Sequence, residues 1–271
     1  MSLIASTKPS SRTGAASGEV RFLRVMQSEW VKFATLPSQC LTVIAAMLLI
    51  LAVAALRLTT TIVQDDIADP VLLASQLHEG VVWGGVLLAV VAALSVTSEY
   101  TSGAIRTTLI AVPTRASVAT AKAIVFALIG LLLGSVASGI ALFANWLVGR
   151  ENAIETQLPT EFVVQLVVGS GLYLAAICVL AIGLAFIIRH PVGTLITVLV
   201  LLTVAPLLLA AVPLEIIRDV ITFLPSIAGQ MIFAPDTGTS ALSPWGGLGV
   251  LAIWAVALWG AGIALLQRRD A

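Results

Sequence analysis

Six stretches of the chain run without an ionisable side chain for long enough to cross a bilayer core, which takes about 20 apolar residues at 1.5 Å rise each. They are Phe33–Leu56, Gly80–Ser98, Ala123–Gly149, Phe162–Ile188, Pro191–Leu214 and Thr237–Gln267. The last begins with a polar, turn-rich stretch, so its helix is expected to start near Trp245. A seventh gap, Val220–Pro235, has only 16 residues and is broken by Pro225, Gly229 and Pro235. That is too short and too interrupted to span, and it reads as an external re-entrant or interfacial segment between the fifth and sixth helices. The pattern predicts an all-α polytopic membrane protein. Its spans lie at about 38–56, 80–98, 119–148, 162–188, 191–212 and 245–266, inside one transmembrane domain over 37–267. A flexible tail (1–18) and an interfacial helix (19–36) precede that domain, and four residues (268–271) follow it.

Composition agrees: 59% of the 271 residues are hydrophobic, 10% are charged, and the mean hydropathy is +1.07. Soluble domains are less apolar and carry about a quarter charged residues. With 14 basic and 14 acidic residues the net charge is zero, which leaves no cationic surplus for nucleic acid. The zero conceals a sorted distribution. Eleven of the 14 Lys and Arg fall on the side that holds both termini, and ten of the 14 Asp and Glu on the other. By the positive-inside rule both termini are cytoplasmic. The first apolar run begins too far into the chain for a cleavable leader.

Several chemistries find no residues to carry them. The spans lack the buried carboxylates of proton- or sodium-coupled carriers. Asn145 and Gln165, the strongly polar residues well inside spans, read as interhelical hydrogen-bond partners. No hydrolase or zinc-protease motif is present, and the dipeptide Gly-Lys of a phosphate-binding loop is absent. Cys40 and Cys178 lie in spans as small apolar side chains. His78 and His190 fall on opposite sides of the bilayer and cannot share a metal, and Asp65, Asp66, Asp69 and Glu79 read as a solvated external cluster. The chain is therefore expected to be no enzyme, to bind no cofactor or metal itself, and to draw energy for uphill movement from a partner.

Glu19–Thr35 is amphipathic. At 100° per residue Phe22, Leu23, Met26, Trp30, Phe33 and Ala34 share one side, and Arg21, Arg24, Ser28, Lys32 and Thr35 the other. Such a helix suits the headgroup plane, and Pro37 bends the chain into the first span. After the second span comes Glu99-Tyr-Thr-Ser-Gly103-Ala-Ile-Arg106-Thr-Thr-Leu109-Ile-Ala-Val-Pro113-Thr-Arg115. Thr101 or Ser102 can cap a short helix here, with Ile105, Leu109 and Val112 on one face and Pro113 ending it. In the third span Gly130, Gly134 and Ser138 recur every four residues, a small-residue stripe that admits a close helix partner. Whether that partner belongs to the same subunit or to another stays open. Trp245, in the last span, suits an outer interface anchor.

With these motifs the chain resembles a permease subunit of the ABC-2 type exporters. The likeness covers nearly everything after the N-terminal tail: the Glu29–Lys32 interfacial helix, six spans with both ends inside, and a long last external loop. Its most specific part is the Glu99, Gly103, Leu109, Pro113, Arg115 spacing. The resemblance implies that 99–115, with Ile105 and Arg106, is the coupling helix that docks on an ATP-binding subunit. Glu29 and Lys32, beside Trp30, would help seat the interfacial helix near it. ATP would then act only through the partner subunit, and two permease copies, identical or related, would form the pathway in the lipid bilayer of the cell membrane. A lipophilic or amphipathic compound, peptide or antibiotic is the expected cargo. A membrane immunity or assembly factor that binds a partner through its acidic external loops is the rival expectation.

Overall fold

A computed structural model describes residues 13–63, 70–105, 115–151, 158–213, 220–236, 238 and 241–268. Among these residues every regular element is helical. Helix α1 (Thr13–Thr35) is separated from α2 (Pro37–Val63) by Leu36 alone. Pro37 opens α2, the helix position at which a missing backbone N–H costs nothing. Short α3 (Pro70–Leu77) turns at His78 into α4 (Glu79–Thr101). Next come α5 (Arg115–Glu151), α6 (Thr160–Ile188) and α7 (Pro191–Ala210). Helix α7 contains a π-helical turn, Val200–Val204, that ends two residues before Pro206. Pro206 supplies no N–H to the preceding turn, which is a sufficient cause for the widened register. Helix α8 (Pro225–Gln230) and the 3-10 turn Met231–Phe233 precede the last helix, α9 (Pro244–Arg268).

Six of these helices are long and apolar enough to cross a membrane: α2, α4 with the end of α3, α5, α6, α7 and α9. They differ in depth. In α4 and α6 67% of the most apolar window is buried, against 22% in α2, α7 and α9. Helix α6 is thus the hub, packed on α5, α9 and α4. The peripheral helices present Leu41, Leu48, Leu207 and Ile253 outward, each more than 60% exposed. Apolar surface of that extent needs lipid around it.

Close helix approach is written in glycine. A Cβ on Gly134 would collide with the Ser170 carbonyl oxygen, and one on Gly130 would sit 2.8 Å from the Leu174 backbone. The small-residue stripe therefore faces α6 of the same chain, which settles what the sequence left open. Ser138, the third member of the stripe, does something else: its hydroxyl meets the imidazole of His78. The segment 220–236 packs between α6 and α9, with Ser226, Ala228, Gly229 and Ile232 buried. Gln165 on α6 donates to the carbonyls of Ile232 (2.9 Å) and Ala234 (3.0 Å). Its partner is thus the backbone of this segment. Asn145 does not behave as expected: it is buried and its Oδ1 has no hydrogen-bond partner among the described residues.

Candidate functional site

One end of the bundle gathers the C-terminal ends of α1, α4, α6 and α9 and the N-terminal end of α5, and most described charges lie here. Helix α1 places Glu29 and Lys32 on one face, three residues apart. Helix α4 brings Glu99 in its last turn, and α5 brings Lys122 from its second turn. The four close into a ring of alternating sign. Lys122 Nζ lies 2.6 Å from Glu29 Oε2 and 3.1 Å from Glu99 Oε1. Lys32 Nζ lies 2.7 Å from Glu29 Oε1 and 3.1 Å from the same Glu99 oxygen. Lys122 also donates to the Ser95 carbonyl at 3.3 Å.

Depth makes this ring more than surface decoration. The Lys122 and Glu29 side chains are 4% and 3% exposed and Glu99 12%, while Lys32 reaches the surface at 38%. Exposed ion pairs contribute about 0–1 kcal/mol. A buried pair is different: removing one partner strands a charge, which costs about 3–5 kcal/mol. Burial by itself would raise the Glu29 carboxyl, but Lys122 and Lys32 outweigh it and hold it below its ordinary 4.5. Burial would likewise lower the Lys32 ammonium. The Glu29 hydrogen bond and the charges of Glu99 and Glu29 keep it above its ordinary 10.5.

A cleft of about 60 Å³ runs along the ring, bordered by Leu36, Gln39, Ser98 and Phe126 as well as the charges. Glu99 Oε2 is buried there without a hydrogen-bond partner among the described residues. The cleft is polar and roomy enough for a few waters.

The remaining coupling residues divide. Ser102 ends α4, and its backbone N–H bonds to the Ser98 carbonyl. Gly103 follows with φ +72°, a left-handed conformation open to glycine at no steric cost. Ile105 is buried, 3% exposed. Arg106, Leu109 and Pro113 lie outside the described residues. Arg115, the first residue of α5, donates to the Leu266 carbonyl at 3.3 Å. Arg189 donates to Leu265 at 3.3 Å and stands over the Tyr100 ring at 5.3 Å. Two cations thus answer carbonyls in the last turn of α9, where the helix dipole is negative.

Trp30 is half-exposed on the outer side of α1 and contacts the Phe33 ring, which packs edge-on against Phe126 of α5. Helix α1 is therefore held by both charge and aromatic packing.

Sequence reasoning missed two things. Lys122 reads in the sequence as one more basic residue beside a span, yet it is the most central cation of the ring. Its signal was available only as a lysine one residue before an uncharged run. His78 is fully buried, with Nδ1 2.6 Å from the Ala74 carbonyl and Nε2 2.7 Å from Ser138 Oγ. A carbonyl only accepts, so Nδ1–H donates to it and the Ser138 hydroxyl donates to Nε2. Phe233 stacks on the imidazole at 5.6 Å, which joins α4, α5 and the 220–236 segment at the other end of the bundle.

Among the described residues no three His, Cys, Asp or Glu side chains gather to hold a metal. A comparison with curated proteins finds no match. A family model described as ABC-2 family transporter protein matches residues 25–206. The matched stretch is about two thirds of the chain, runs from α1 into α7, and contains all four residues of the charge ring. Six membrane-capable helices and this match together make the chain a multi-pass membrane protein that belongs to the ABC-2 transporter family, a membrane permease of an ABC transporter.

Proposed function

We propose that this permease forms a translocation pathway as a dimer, with its termini in the cytoplasm, and is driven by a separate ATP-binding subunit docking on residues 99–115. The observation that carries the docking element is the charge ring. Glu99 stands in the last turn of α4 and Arg115 begins α5, so the segment between them hangs from two helices that share one ion cluster with α1. A load on that segment reaches α4 and α5 through the chain and α1 through Glu29 and Lys32. The excess of Lys and Arg at this end supports its cytoplasmic placement.

The chain itself holds no nucleotide in this reading; ATP is bound and cleaved by the partner. Glu99, Gly103, Ile105, Arg106, Leu109, Pro113 and Arg115 form the contact and its support. Segment 220–236, packed into the other end of the bundle, is the external re-entrant element. The six long uncharged runs of the sequence favour a lipophilic or amphipathic cargo, peptide or antibiotic, which is exported.

The test is purification of the tagged chain from native membranes followed by transport and ATPase assays on the reconstituted complex. An ATP-binding cassette subunit should accompany the wild type. Gly103→Val forces a β-branched residue into φ > 0 at the root of the segment. It should cut transport at least about tenfold, the equivalent of 1.4 kcal/mol of coupling, while ATP hydrolysis persists. Wild-type chain that never brings down an ATPase, or a Gly103→Val complex that transports normally, defeats the proposal.

A further inference from the structure

A groove of about 470 Å³ opens on the outer side of α1 against α5, lined by Met26, Gln27, Trp30, Val31, Val125 and Leu128. Apart from the Gln27 amide the lining is apolar. Leu128 begins a continuous exposed ridge along α5 through Leu132, Val136, Ile140 and Phe143, spaced three to four residues apart. At 1.5 Å per residue the ridge runs about 22 Å, most of the depth of a hydrocarbon core.

Helix α1 also carries a cation on this side. Arg24 precedes Gln27 by three residues and Val31 by seven, so it lies on the same stripe of α1. It is exposed and has no ion-pair partner among the described residues, whereas Lys32 and Lys122 are both committed to the ring.

We propose that this groove binds one anionic phospholipid, with the phosphate on Arg24 and an acyl chain between Trp30 and Leu128 continuing up the α5 ridge. Charge complementarity selects the occupant. A guanidinium with no ion-pair partner among the described residues, beside an apolar trough at the membrane surface, answers a phosphodiester and a hydrocarbon chain together. A second copy seated on the same face would be a less favourable occupant. Neither stripe nor ridge carries an acidic residue, so a two-fold contact would bury two unanswered cations. The proposal rests on the cytoplasmic, membrane-surface placement of α1 given above.

Fluorescence of Trp30, taken as the difference between the wild-type chain and Trp30→Phe, tests it in vesicles of mixed phosphatidylcholine and phosphatidylglycerol. The bromine quencher is carried on the acyl chains of one lipid or the other. Brominated phosphatidylglycerol should quench Trp30 with about fivefold preference over brominated phosphatidylcholine at equal content, the ratio expected for one cation near an anionic surface. Arg24→Gln should abolish the preference and Arg24→Lys should largely keep it. Equal quenching by the two lipids in the wild type, or a preference that survives Arg24→Gln, overturns the site while leaving α1 at the membrane. No quenching by either lipid overturns both the site and the surface placement of α1.

Discussion

Each end of the bundle ties its helices together with polar contacts, but the two ends do so in different media. At the α1 end, Glu29, Lys32, Glu99 and Lys122 from three helices share a largely buried ring. At the opposite end, Arg57 of α2 donates through Nε to Glu79 of α4 at 2.8 Å, with both side chains more than 40% exposed. Below that pair the burden passes to neutral groups, where fully buried His78 is held by the Ala74 carbonyl and the Ser138 hydroxyl. Similar residue types therefore carry very different energies. Water screens the Arg57–Glu79 pair, whereas removal of a partner from the ring leaves a charge that water cannot reach. The expensive end is also the end that the proposed ATPase would grip, as a rigid transmission requires.

Substitutions can break this contrast. Lys122→Met should cost about 3–5 kcal/mol, because Glu29 keeps its burial but loses its nearest cation. Thermal unfolding in detergent reads that loss. Thiol labelling of a cysteine placed at Val25, buried against Val118 and Ala121, reports whether α1 lifts away. Replacing both partners, Glu29→Leu with Lys122→Met, should recover most of the stability. If it does not, the ring holds α1 by something other than paired charge.

Ser138→Ala should cost about 1–3 kcal/mol, since His78 Nε2 would remain buried as an acceptor without a donor. Hydrogen exchange in 220–236 should rise with it, because Phe233 is stacked on the ring that Ser138 orients. Unchanged exchange would separate the histidine from that segment.

Acidity discriminates next. Glu29 titrates lower in the folded chain than its ordinary 4.5, so its contribution is complete above that value and is lost as pH falls through the lowered one. Lys32 titrates higher than its ordinary 10.5, so its contribution is complete below that value and is lost as pH rises through the raised one. Protection of α1 should thus stay flat between about pH 5 and pH 10 and fall outside that window. A transition near neutral pH would mean that another group controls α1.

The smallest effect is expected at the exposed pair. Arg57→Gln should change stability by less than about 1 kcal/mol, and added salt should mimic part of it. A loss as large as that of Lys122→Met would erase the difference between the two ends.

Much of this architecture could be read from the chain alone. Uncharged runs located the six spans because a bilayer tolerates few charges and fixes a minimum length. Pro37 marked the break after α1 because proline cannot continue a helix that needs its N–H. The Gly130–Gly134 stripe announced a close neighbour but could not name it, since α6 is recognised only by the Ser170 and Leu174 backbone it presents. Asn145 shows a different limit: a polar residue in a span suggests a bond, but geometry decides whether one forms.

Hydropathy and proline determined where the helices run. Charge sorting and the Glu99–Arg115 spacing marked one end as the candidate contact. Only the tertiary structure could decide that Glu29, Lys32, Glu99 and Lys122, separated by up to 93 positions, close one ring, or that Lys122 and His78 are buried. The reason is physical. Periodicity and span length are properties of neighbours along the chain, while the burial of a charge and the identity of its partner depend on helices that meet only after folding.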